Sequence, residues 1–419
     1  MQKKKRKWPK ILGITILVIV VVLAAVALGG YLYLRNRFGT GTAEVHLTAD
    51  GNTVVSVTGG DLTGGTADGV YSFLGVPYAT APERFTAPEE AHWDGTFEAV
   101  SYGSVSPQQS MFGGSDGQDN DCLNLNIWTN GVGDGAKRPV MVWYHGGGMT
   151  SGSANEETTN GKNLAKEEDV VVVTVNHRLG ALAYLDLSGY GEKYAYSGNV
   201  GVLDMVASLQ WIHDNIEAFG GDPDNVTIFG QSGGGAKVLA LMTTPYAEGL
   251  FHKAINQSGA TDTLGPVFAT EEMAKRISEL TLQTLGITAE NIEDIQTVSF
   301  EELNNAGTAA LQTVANEFRI LSPFGDSYIM TYGAPQAVHG AEIPLIFDNT
   351  AAENEAMAEI MRGVWAQFAR TGNPTIEGLP EWEPYTREGG AAMILDLESH
   401  IGYHHDEELL HLTKPGYEY

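Results

Sequence analysis

The 419-residue chain holds a single cysteine, Cys122. No intrachain disulfide can form, and metal sites built on several thiolates are excluded. A body of this kind outside the cell must be stable without cross-links, which suits a bacterial surface better than an animal secretory pathway. Positive charge is also scarce: 24 Lys and Arg stand against 52 Asp and Glu, a formal net charge of −28. Eight of those 24 lie within residues 1–37, where no acid occurs, so the remainder carries 16 basic against 52 acidic residues. So negative a body repels phosphate backbones and excludes nucleic acid as a partner. The charge serves solubility or draws cationic substrates. No repeat of 20–50 residues is present, which excludes a solenoid. A hydrophobic content of 43% with 18% charged residues excludes a disordered tail and a coiled coil. The length allows two or three domains or one large α/β unit, with ample chain for a core.

Ile11 to Leu34 form 24 consecutive residues without a charge, preceded by Lys3, Lys4, Lys5, Arg6, Lys7 and Lys10. As a helix this run reaches about 36 Å, more than the roughly 30 Å of a bilayer's hydrocarbon core. The positive-inside rule then puts residues 1–10 in the cytoplasm, residues 11–34 across the membrane as a signal anchor, and the acidic body outside. The alternative is a cleaved signal peptide, because Ala25-Val26-Ala27 has the form of a cleavage site. Residues 35–44 read as a tether, and residues 45–419 as the folded body. The Gly- and Thr-rich stretch 39–66, with alternation at Ala43–Leu47 and Thr53–Val57, predicts a β-hairpin at its start.

From about residue 120 the pattern is α/β. Pro139–Tyr144 is an apolar run ending in His145-Gly146-Gly147-Gly148, and Val170–Val175 is β-branched throughout, as in a strand buried on both faces. Apolar residues recur at helical spacing between Val202 and Ala218. Val226–Phe229 feeds Gly230-Gln231-Ser232-Gly233-Gly234-Gly235, followed by a small-residue helix at Ala236–Met242, and Lys253–Asn256 is the next strand. Residues 271–316 read as amphipathic helix, and Asn354–Arg370 as another, stopped by Gly372-Asn373-Pro374. Strands alternating with helices predict a mostly parallel sheet with its site at the strand C-terminal ends.

Gly230-x-Ser232-x-Gly234 lies between a strand and a helix, where a turn too tight for side chains would push the Ser232 hydroxyl out above the sheet. A nucleophilic serine needs donors for the oxyanion it creates, and glycine amides approach a substrate oxygen closely. The amides of Gly147, Gly148 and Gly233 are the expected donors.

These two motifs sit in a longer ordered set: Phe73–Ala79, Arg84-Phe85, Asp121–Asn126, Asn176-His177-Arg178-Leu179-Gly180, Gly198–Asp204 and Phe219–Pro223. The set resembles the type-B carboxylesterases, the cholinesterase-like branch of the α/β-hydrolases, over about residues 45–405. The resemblance implies an α/β-hydrolase fold and hydrolysis of small-molecule carboxylic esters through an acyl-enzyme, with no metal or organic cofactor. A cholinesterase-like adhesion protein without catalysis, and cleavage of amides or peptides, are the competing readings. Three departures stand out. Gln231 occupies a position where relatives usually carry Glu. Ser106 replaces the usual partner of Cys122, which leaves that loop unpinned. His177 stands where Tyr is common.

In this fold the base is a histidine downstream of the serine. Five of the 11 histidines follow His252, and His339 matches the family's H-G-x-E signature in His339-Gly340-Ala341-Glu342. The orienting acid belongs between Ser232 and His339, where Glu317 and Asp326 are the candidates. Only 13 positions separate Asp326 from His339, too few for a further helix and strand. A segment common in the family is therefore expected to be missing before His339, with or without the usual acid. Acyl and alcohol specificity and the oligomeric state are not legible.

Overall fold

The structure is a computed structural model that describes residues 47–108, 117–259, 269–318, 339–405 and 407. Seven strands form the central sheet. They are β1 (Gly65–Ala67), β2 (Val70–Pro77), β3 (Asn124–Thr129), β4 (Arg138–Tyr144), β5 (Val171–Val175), β6 (Gly221–Gln231) and β7 (Lys253–Gln257), in the spatial order β7-β6-β4-β5-β3-β2-β1. The pairs β7–β6, β6–β4 and β4–β5 are parallel, whereas β5–β3, β3–β2 and β2–β1 are antiparallel. The sheet is thus mixed, and the expectation of a mostly parallel sheet is corrected. The antiparallel half begins in a two-residue turn at Asp68-Gly69, both with positive φ, which joins neighbouring strands without a helix. Parallel neighbours need a crossover, and only from β4 onward does the chain supply one.

The hairpin expected near the start lies at Val54–Val57 paired with Gly60–Thr63. Most of Ala43–Leu47 and the whole of 11–34 lie outside the described residues. Among the described residues, no helix is long and apolar enough to cross a membrane.

The alternation of β4 explains how two layers of helix attach. Val140, Val142 and Tyr144 face one side, where they meet Met205, Leu209 and Ile212 of helix α2 (Val200–Asn215) and Val238 and Leu241 of helix α3 (Gly233–Thr243). Met141 and Trp143 face the other, against Leu164 of α1 (Lys162–Glu168), Phe347, and Met361, Ala366 and Ala369 of α6 (Glu355–Thr371). Trp143 meets Phe229 and Phe347 edge-on, with ring centroids 5.0 and 5.2 Å apart. Val171 to Val175 are all buried, and each fully buried Val contributes about 1.5–3 kcal/mol of hydrophobic stabilisation. Helices α4 (Glu271–Leu285) and α5 (Phe300–Glu317), both opened by capping boxes, cover a third cluster with Phe85, Leu182 and Tyr194. Gly372 ends α6 in the left-handed conformation, as its sequence position predicts.

Candidate active site

The register of the sheet brings the chemistry-bearing loops to one edge. Tyr144 is level with Gly230 and Val175, and Gln231 with Gln257, so His145, Asn176, Ser232 and Ser258 all leave the sheet at the same end. This is the C-terminal edge of the parallel half.

Ser232 links β6 to α3 with φ 58° and ψ −120°, a conformation costing a non-glycine residue on the order of 1–3 kcal/mol. The neighbours over-determine it. The Ser232 N–H donates to the Gln257 carbonyl at 2.8 Å, and the Ser232 carbonyl accepts from Ala236 N–H at 3.1 Å. A Cβ on Gly234 would collide with the Tyr144 carbonyl oxygen, and one on Gly233 would meet the Gly148 carbonyl and lie 2.5 Å from the Gly148 nitrogen. The backbones of Gly233 and Gly148 therefore approach closely beside the serine, and Gly147 and Gly148 turn the loop with φ 85° and 64°. Of the three glycines expected as amide donors, Gly148 and Gly233 are in this way brought together beside Ser232, and Gly147 precedes Gly148 in the same loop.

His339 is exposed, and its ring lies against the Gln231 amide, whose Nε2 is 3.3 Å from Nδ1 and 3.1 Å from Nε2. The ring thus sits beside the residue that precedes the serine. Among the described residues no hydrogen bond joins the Ser232 hydroxyl to His339. Such contacts often tighten only when substrate is bound. Glu342, three residues on, accepts from Gln257 Nε2 at 3.3 Å, while Gln257 Oε1 accepts from Trp365 Nε1 at 3.1 Å. Gln257 therefore couples the serine turn, the His339 segment and α6, a role that no pattern in the sequence marked.

The acid candidates fare differently. Glu317 ends α5 with its carboxylate taken up by Arg276, which donates from Nε at 3.1 Å and Nη2 at 3.0 Å and holds the carboxyl below its ordinary pKa. The structure does not hydrogen-bond Glu317 to His339. Asp326 lies outside the described residues.

The other motif residues form a buried polar frame. Arg178 grips Asp204 with Nε at 2.8 Å and Nη2 at 2.5 Å, both side chains nearly inaccessible. Asn176 accepts from Ala154 N–H at 2.8 Å and donates to Asn124 at 3.0 Å and Asn155 at 3.1 Å. Cys122 is free and buried, which pushes its thiol up to about 12. Ser106 is fastened all the same, its hydroxyl accepting from Leu179 N–H at 3.0 Å, so hydrogen bonding pins a loop that the sequence suggested was loose. His177 stacks on His145, centroids 5.1 Å apart, and donates from Nδ1 to the Arg178 carbonyl at 2.8 Å. Burial first, and then the Lys237 charge, hold both imidazoles well below their ordinary pKa. Lys237 was missed from the sequence. A lone cation in an otherwise small and apolar helix was its signal.

The family model described as Carboxylesterase family matches residues 51–338 and 327–411. The chain belongs to the carboxylesterase family. Para-nitrobenzyl esterase of Bacillus subtilis is 42% identical over 262 residues, 60% of this chain and 52% of that one. In this and two further relatives the match spans about half of the relative's length or less. Human cocaine esterase is 29% identical over 528 positions that take in 91% of this chain and 93% of the relative. Since 91% of 419 residues is about 380, about 150 of those positions hold no residue of this chain. A Clostridium hathewayi esterase of solved structure, described as able to hydrolyse aliphatic aromatic polyesters, is 31% identical. It superposes with a TM-score of 0.77 over 89% of this chain and 100% of that chain.

Proposed function

We propose that the protein hydrolyses carboxylic esters with Ser232 as nucleophile and His339 as general base. The observation that carries the reading is the strained Ser232 turn pressed against the Gly147-Gly148 loop, beside the glutamine that holds the His339 ring. Ser232 Oγ attacks the ester carbonyl while His339 takes its proton, and the amides of Gly147, Gly148 and Gly233 receive the developing oxyanion. The tetrahedral species collapses as His339 returns the proton to the departing alcohol, leaving an acyl-enzyme that water cleaves in a second, mirrored round. Membership of the carboxylesterase family and the esterase activities named for its relatives support an ester substrate. The alignment shortfall of about 150 positions supports a shortened segment, and the overlap of the two matched stretches at 327–338 supports its lying before His339. With Glu317 engaged by Arg276, Asp326 is the remaining orienting acid, and without it the pair Ser232–His339 works alone.

The charge pattern of residues 1–37 supports a single-pass anchor with the catalytic body outside the cell. Full-length protein is expected to sediment with membranes, whereas a soluble mature chain starting near Leu28 would show a cleaved leader. Detergent-solubilised full-length protein should hydrolyse p-nitrophenyl esters and be labelled on one residue by a fluorophosphonate. Ser232→Ala should abolish both, and undiminished hydrolysis in that variant would refute the mechanism.

A further inference from the structure

Lys237 is completely buried five residues after the serine, on the helix the serine opens. A buried ammonium is costly unless its donors are used, and an apolar residue would suit a purely packing role better. Its Nζ donates to the carbonyl oxygen of His145 at 2.8 Å. His145 is the residue immediately before Gly146-Gly147-Gly148, so this bond joins the serine-bearing helix to the root of the glycine loop. Three consecutive glycines hold no shape by themselves, and two of these three already have positive φ. The loop's other tie to the helix is the bare backbone approach of Gly148 to Gly233.

We propose that Lys237 is a positioning residue of the oxyanion site, its ammonium fastening the glycine loop to the helix of Ser232 so that the amides of Gly147, Gly148 and Gly233 keep a single spacing. The inference rests on the esterase reading of that site. Lys237 touches no reacting atom in this scheme. It acts through the His145 carbonyl. The groups facing it fit the role. His145 Nδ1 lies 3.5 Å from Nζ but donates to the Gly146 carbonyl at 2.8 Å, which leaves the ammonium to the His145 carbonyl. His145 and His177 are both held neutral, and Glu156, itself raised to about 7 by burial, is the facing group of opposite charge. Burial brings Lys237 down to about 7, so the fastening is charged below neutrality and weakens above it.

Lys237→Met keeps length and removes charge and donors. In the full-length protein it should still fold, the bond lost by the His145 carbonyl being offset by relief of the buried charge, while kcat on p-nitrophenyl butyrate falls about tenfold to a hundredfold at constant KM, the size of effect that a misplaced catalytic group produces. A folded variant with kcat within twofold of wild type, or one in which KM alone rises, overturns the proposal. If the variant does not fold, the wild-type kcat profile decides. A decline between pH 7 and pH 9 supports the ammonium, and a level profile overturns it. Wild-type protein without esterase activity, or Ser232→Ala with full activity, would instead overturn the reading of the site itself.

Discussion

Replacing Asp204 by Asn should be among the most damaging single-atom changes this chain can suffer. Asp204 is fully buried and receives three donors from one residue, Arg178: Nε at 2.8 Å, Nη2 at 2.5 Å and the backbone N–H at 3.1 Å. The asparagine keeps the shape but turns an amide N–H₂ toward a guanidinium that has lost its counter-charge. Breaking a buried ion pair from one side costs about 3–5 kcal/mol. Arg178→Met should cost a similar amount by stranding the carboxylate. The double variant Arg178→Met/Asp204→Leu removes both charges and leaves two groups unpaired, the Thr86 carbonyl, which Arg178 Nη1 contacts at 2.8 Å, and the Arg178 backbone N–H, which donates to Asp204 at 3.1 Å. Each is worth about 1–3 kcal/mol, together below the sum of the two single losses, and the gap is the coupling energy. Urea unfolding followed by tryptophan fluorescence and by circular dichroism would measure it, with coincident transitions and a constant m-value as the condition for reading the midpoints as free energies. An Asp204→Asn variant within about 1 kcal/mol of wild type, or a double variant as unstable as the singles combined, would refute a buried, coupled ion pair.

Three further outcomes are expected. Gly233→Ala drives a methyl group into the Gly148 backbone, so kcat on a p-nitrophenyl ester should fall at least about a hundredfold, as when an oxyanion donor is lost. Glu317→Gln, whose side chain is committed to Arg276 at the surface, should leave kcat within twofold, whereas a tenfold fall would make it the orienting acid after all. Because burial raises the Cys122 thiol to about 12, it stays protonated at pH 8, so a thiol-reactive disulfide reagent should titrate no cysteine in the folded protein and one after denaturation.

Much of this architecture is visible in the sequence where a local pattern forces it. The β-branched run at Val171–Val175 can hardly be anything but a doubly buried strand, and Gly230-x-Ser232-x-Gly234 between VTIF and a helix dictates its own turn. Residues 271–316 read as amphipathic helix from the spacing of their apolar residues, but the structure divides them after Gly286, left-handed at φ 70°, into Glu271–Leu285 and Phe300–Glu317. The antiparallel half of the sheet escaped because the pairing of β2 with β3 shifts register between Phe73 and Val76, although Asp68-Gly69 carried the hairpin signal. The contacts of Lys237, Gln257 and the ladder through Asn176 were not legible, although the lone charge of Lys237 in a small apolar helix was. Their partners lie 92, 85 and 52 positions away, and only the assembled sheet edge defines what each touches.

The face of the sheet that carries Met141 and Trp143 is roofed largely by Phe347, Met361, Ala366 and Ala369, residues more than 200 positions later in the chain. During synthesis the strands emerge long before their cover. At a ribosomal pace of about 5–20 residues per second, a bare aromatic sheet face waits on the order of ten seconds or more for helix α6. A nascent chain stalled before residue 347 should accordingly stay protease-sensitive across β4 and β6, and one stalled well beyond residue 371 should become resistant.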